Sequence, residues 1–117
     1  MMILWPEGTK VFLADQPVDF RKSVNGLCAL VSCDWEKNPG DRNVYVFFNK
    51  RRNSLKLLYY DGNGFMLWYK RLDRGQFKLT KGYSHRLELD ERQLKWLLSG
   101  LDFMALKTLP MDYKIHF

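Results

Sequence analysis

The sequence predicts an α+β domain: an antiparallel β-meander with one helix before it and one after it. Three observations predict this class. Two apolar, β-rich runs, 43–48 and 54–60, flank a short polar loop. The second run is followed by Asp61-Gly62-Asn63-Gly64, a turn that suits the positive φ values of a tight hairpin, and then by a third β-rich run, 65–72. Helical spacing of apolar residues is confined to one stretch before this block and one after it. The length of 117 residues fits one domain, 1–117, and a hydrophobic fraction of 46% suffices for a core without metal or disulfide staples.

The elements follow in order. Residues 10–14 read as a short strand, turned by Asp15-Gln16-Pro17. Asp19 is placed to cap a helix whose apolar positions are Phe20, Val24, Leu27, Cys28 and Val31. Gly26 weakens that helix by about 1 kcal/mol relative to Ala, so it relies on tertiary packing, and it leaves room for a close approach. Residues 34–42, with Pro39-Gly40, form a loop. Lys50-Arg51-Arg52-Asn53 joins the first two meander strands. Asp73-Arg74-Gly75 turns the chain after the third, residues 76–80 are expected to pair back, and 86–89 form a further short strand. Asp90-Glu91-Arg92-Gln93 resembles a capping box and opens a helix with Leu94, Trp96, Leu97 and Leu98 that stops at Gly100. The remainder reads as an irregular tail, 104–117 above all.

Net charge is +6, and its distribution says more than its total. Between Lys50 and Arg86 stand ten Lys or Arg against Asp61 and Asp73, a net of +8. The rest of the chain holds nine basic and eleven acidic residues, a net of −2. A local basic field attracts phosphate polyanions; the competing reading is a solvated, solubilising surface.

Pairing Tyr60 with Phe65 across the turn fixes the hairpin register. Ser54, Lys56, Leu58 and Tyr60 then share a face with Phe65, Leu67, Tyr69 and Arg71. Leu55, Leu57, Tyr59, Met66, Trp68 and Lys70 share the other, which is more uniformly apolar and is expected to face the core. The first face would be an outer surface where Lys56, Arg71 and the Lys50-Arg51-Arg52 loop contact a nucleic-acid backbone and Tyr69 stacks on a base or sugar. Against this, aromatics in strands are more often packing residues, and loop arginines are often merely solvated.

Cys28 and Cys33, five apart, form no zinc pattern and no disulfide framework, which points to the cytosol. The opening residues, broken at Pro6, do not read as a signal peptide, and no apolar run is long enough to span a bilayer. His85 and His116 pair with no nucleophile at a recognisable spacing. Gly62 and Gly64 lack the downstream Lys-Ser/Thr of a phosphate loop. Asp61, Asp73, Asp90 and Glu88 would make a metal-dependent nuclease only if they converged. Asp61 and Asp73 occupy turn positions that favour Asp for backbone reasons, and Asp90 reads as a helix cap. No catalytic residue, cofactor, metal or small-molecule substrate is therefore expected.

Several blocks carry a resemblance. Trp5-Pro6-Glu7-Gly8-Thr9-Lys10-Val11-Phe12-Leu13-Ala14 and Asp19-Phe20-Arg21-Lys22-Ser23-Val24-Asn25-Gly26-Leu27 resemble a "PxGxxVxLA … DxRKxxxGL" pattern. Residues 46–58 resemble "VFxxRRxxxxKxL", and residues 60–77 resemble "WDGxGxxLxxKRLExGxF". Residues 94–102 resemble "LxxLLxGxD". Together these are the pattern of the TnpB-type accessory proteins, products of the second reading frame, of the insertion-sequence-66 family of bacterial transposable elements. The resemblance covers about residues 5–103; the sequence departs from the pattern at Asn49 and in its tail.

The resemblance implies a role in DNA transposition beside a separate transposase that carries the catalytic carboxylates. The expectation is a non-catalytic, cytoplasmic accessory protein that binds DNA through a basic hairpin. Its phosphate contacts would be Arg21, Lys22, Lys50, Arg51, Arg52, Lys56, Lys70, Arg71 and Arg74, with Tyr69 adding stacking. Arg21 and Lys22 would stand in the first turn of a helix, where the dipole disfavours cations, as if held there for a partner. The alternative is a protein-interaction adaptor that docks on the transposase with little DNA affinity of its own.

Overall fold

The computed structural model describes residues 5–79 and 86–102. Its elements are β1 (Val11–Leu13), α1 (Val24–Ala29), a π-helical turn (Leu30–Asp34), β2 (Val44–Phe48), β3 (Ser54–Tyr60), β4 (Phe65–Arg71), β5 (Leu87–Leu89) and α2 (Glu91–Leu98). The five strands form one sheet in the order β4-β3-β2-β1-β5.

The α+β class stands, but the sheet is not an antiparallel meander. β1 runs parallel to β2, with Val11 opposite Val44 and Leu13 opposite Val46. Parallel neighbours need a crossover connection, normally helical. The first helix is that crossover and not a prelude to the sheet. β5 returns antiparallel to β1, with Val11 opposite Leu89. Only β2, β3 and β4 follow one another as a meander.

The β3–β4 register is the expected one, with Tyr60 opposite Phe65 and Ser54 opposite Arg71. The expected division into an inner and an outer face does not follow from it. On one face of the sheet the indole of Trp35 packs 5.8 Å from the Tyr45 ring and 5.2 Å from Phe47. On the other, the Lys70 ammonium reaches the Leu98 carbonyl at the end of α2. The crossover thus covers one face and α2 the other. β2 is buried along its whole length, and β3 from Ser54 to Tyr59. A strand buried on both sides reads as a continuous apolar run, which describes VYVFF and SLKLLYY well.

The crossover helix starts later than expected. Asp19 does not cap it: its carboxylate accepts from the Arg21 amide at 2.9 Å, and the Lys22 amide closes a turn on the Asp19 carbonyl at 3.1 Å. Helical bonding begins with the Leu27 amide on the Ser23 carbonyl at 2.9 Å. Arg21 and Lys22 therefore precede the helix and do not stand against its dipole. The close approach allowed by Gly26 is by the chain's own Lys22, whose side chain would lie 3.1 Å from an added Cβ. The π-helical turn then swings Trp35 inward, its amide on the Leu30 carbonyl at 3.1 Å.

The capping box of α2 is present. The Gln93 amide donates to Asp90 Oδ1 at 2.8 Å, and the Asp90 amide donates to Gln93 Oε1 at 3.0 Å. Residues 76–79 form no strand; the Phe77 amide instead bonds the Arg52 carbonyl at 2.7 Å. The expectations for Thr80, His85, His116 and the 104–117 tail fall outside the described residues.

Candidate nucleic-acid interface

The β2–β3 loop and the turn after β4 are one structure. Asn49 organises the loop: its Oδ1 accepts from the amides of Asn53 and Ser54, each at 3.1 Å, and its Nδ2 donates to Asn53 Oδ1 at 2.6 Å. The turn is stitched to the loop by Leu72 N on the Asn53 carbonyl at 2.8 Å and by Gln76 Nε2 on the Arg51 carbonyl at 2.8 Å. Lys50, Arg51, Arg71, Arg74 and Lys78 are all exposed on this assembly, against the single carboxylate of Asp73. Among the described residues none of these five cations has an ion-pair partner. Sequence reasoning overlooked Asn49 and Gln76 as organisers; two asparagines bracketing a basic loop were the available signal.

Arg52 belongs to the loop but not to its charged surface. Its backbone is left-handed, φ 60°, its guanidinium donates to the Leu79 carbonyl at 3.1 Å, and it lies 5.4 Å from the Phe48 ring. Lys56 is turned inward. It is 7% exposed, and its ammonium donates to the carbonyls of Phe20 and Lys22, both at 2.8 Å. Sequence patterning put it on an outer face because it alternates with apolar residues; the crossover covers that face and supplies the carbonyls. Lys70 is likewise used at the end of α2, where a cation meets the helix's free carbonyls.

Arg21 and Lys22 are exposed on the turn across an open cleft of about 410 Å³ lined by Pro17, Val18, Asp19, Phe20 and Lys50. The Val18 amide on the Phe48 carbonyl, 2.8 Å, holds this segment against the end of β2. Arg21 is already paired: its Nη2 lies 2.7 Å from Asp19 Oδ2. That hydrogen bond holds the Asp19 carboxyl down at about 2, and the carboxylate in turn raises the Arg21 pKa. Tyr69 stands in the edge strand β4, 57% exposed, its ring edge-on to Phe20 at 6.0 Å.

The carboxylates of the nuclease reading do not converge. Asp61 and Asp73 lie at opposite ends of the β3–β4 hairpin, a strand length of roughly 20 Å apart. Glu88 is on the opposite edge strand, and Asp90 caps α2. Among the described residues no group of three His, Cys, Asp or Glu could hold a metal ion, and no helix is long and apolar enough to cross a membrane.

Comparison with known proteins decides the family. Residues 9–108 match the IS66 Orf2-like protein family, TnpB_IS66. The chain belongs to the IS66 Orf2-like family. Two relatives come from Sinorhizobium fredii. The uncharacterized protein y4jC is 35% identical over 104 residues, covering 89% of each chain. The uncharacterized protein y4hO is 33% identical over 97 residues, covering 83% of this chain and 84% of its own. No solved structure matches. Membership associates this IS66 Orf2-like chain with an insertion sequence and its transposition. The blocks that resemble the family pattern include the stitched loop, the Asp61–Gly64 turn and the turn after β4.

Proposed function

We propose that this IS66 Orf2-like protein is a non-catalytic accessory protein of transposition that binds DNA through the basic end of its sheet. One observation carries the reading. Five exposed cations, Lys50, Arg51, Arg71, Arg74 and Lys78, stand on the β2–β3 loop, the end of β4 and the segment after it, which hydrogen bonds tie into one platform. Lys22 and the paired Arg21 extend it across the cleft. Lys56, Arg52 and Lys70 serve the fold and are not phosphate contacts in this reading. Backbone contacts of this kind give affinity without sequence discrimination and a steep dependence on salt. The test is a titration of labelled duplex DNA across salt concentrations. Affinity should fall as salt rises, and Arg51→Glu with Arg74→Glu should weaken binding to every sequence and flatten the salt slope. Binding undiminished by the double change would sink the assignment.

The second reading is an adaptor for the transposase of the same element. It is favoured by the outer edge of β4, which pairs with no further strand among the described residues, and where Phe65 and Met66 are about two-fifths exposed. Co-purification with that transposase at high salt, with no retention of DNA, would select it.

A further inference from the structure

The basic platform continues into an aromatic strip. Phe65, Leu67, Tyr69 and Arg71 alternate along one face of β4. The crossover covers that face over β2 and β3 and reaches β4 at Tyr69 through Phe20, but leaves much of the strand open: Phe65 is 38% exposed, Tyr69 57%, and Arg71 is exposed too. The two exposed rings stand about 13 Å apart along the strand. Each is backed by another ring, Phe65 by Tyr60 at 5.0 Å and Tyr69 by Phe20 at 6.0 Å. The rings are thus positioned by packing and still open to solvent. Arg71 at the end of the strip stands opposite Ser54, which follows the loop that carries Lys50 and Arg51.

We infer that this strip takes unpaired bases, so that the preferred ligand is single-stranded DNA. The inference rests on the DNA-binding reading above and specifies its ligand. In a duplex the base faces are stacked on one another, and only the cations could engage. In a single strand the bases stack on exposed aromatic rings while the backbone tracks the cations. A surface built only for duplex phosphate gains nothing from leaving Phe65 and Tyr69 uncovered. The other occupant the geometry allows is a second copy of the chain, paired edge to edge through β4. The exposed cation Arg71 on this edge strand opposes it, as a charge on a sheet edge guards against strand addition.

The test uses the full chain with a fluorescein-labelled single-stranded oligonucleotide and with the duplex of the same sequence, read by anisotropy. The single strand should bind at least about fivefold more tightly. Tyr69→Ala and Phe65→Ala should each weaken single-strand binding by about fivefold or more and leave duplex binding unchanged, while Tyr69→Trp keeps it. Phe65 sits beside the hairpin turn, so its variant carries the test even if Tyr69→Ala fails to fold. Equal affinities for the two forms, indifferent to both alanine changes, would overturn the inference and leave duplex binding by the cations standing. Binding to neither form would remove both. A wild-type dimer in sedimentation that Tyr69→Ala converts to monomer would show the strip occupied by a second copy, and would overturn it as well.

Discussion

The ammonium of Lys56 donates to the backbone carbonyl of Phe20 at 2.8 Å, from a side chain that is 7% exposed. A second bond, to the Lys22 carbonyl, and the rings of Phe20 and Tyr69 at 4.9 and 5.8 Å complete its surroundings. The lysine therefore pins the start of the crossover to the sheet. It also takes carbonyls that a helix begun at Asp19 would have used itself.

Replacing Lys56 should damage the fold and not the binding surface. Lys56→Met keeps the aliphatic stem but leaves two carbonyls without their charged donor. A loss of about 1–3 kcal/mol is expected in urea unfolding. Duplex affinity of the folded variant should stay at the wild-type level, in contrast to Arg51→Glu.

Arg51 and Arg52 are neighbours with different work. Arg51 is exposed, while Arg52 donates to the Leu79 carbonyl and covers the Phe48 ring. Arg52→Ala should lower stability by about 1–3 kcal/mol and change DNA affinity little once folded. Arg51→Ala should do the reverse, weakening DNA binding with a melting temperature close to wild type.

The two glycines of the hairpin turn should respond differently. Gly62 has φ +108°, and a Cβ there would sit 2.9 Å from the Arg42 guanidinium. Gly62→Ala should cost about 1–3 kcal/mol, mainly from the backbone, since the guanidinium can move aside. Gly64 is not in that region, and nothing lies within 4 Å of its added Cβ. Gly64→Ala should fall within about 0.5 kcal/mol of wild type. Thermal melts of the two variants check both.

Asp19 should titrate at about 2, held there first by the hydrogen bond from the Arg21 side chain and then by the Arg21 amide. A carboxyl whose pKa is depressed by folding adds stability above its unfolded value, about 3.9, and loses it as pH falls through the folded one. The contribution is therefore present at neutral pH and disappears from about pH 4 downward. Arg21→Ala should move the carboxyl signal in an NMR titration up towards the ordinary carboxylate range. Its stability should differ from wild type above that pH window and converge with it at the acid end.

Local chemistry alone determined a good deal of this protein. The Asp61–Gly64 turn set the β3–β4 register, because a Gly/Asn turn leaves few ways to join two strands. The spacing of Asp90 and Gln93 set the start of α2, because a capping box closes within four residues. The sequence blocks also identified the family, and the run of cations located the basic loop. Only tertiary structure decided which way β1 runs beside β2, because strand direction depends on a connection whose path is not written in the strands. The same crossover buried Lys56 and left its neighbour Tyr69 more than half exposed. A period of two says which residues share a face; what covers that face is settled by elements distant in the chain.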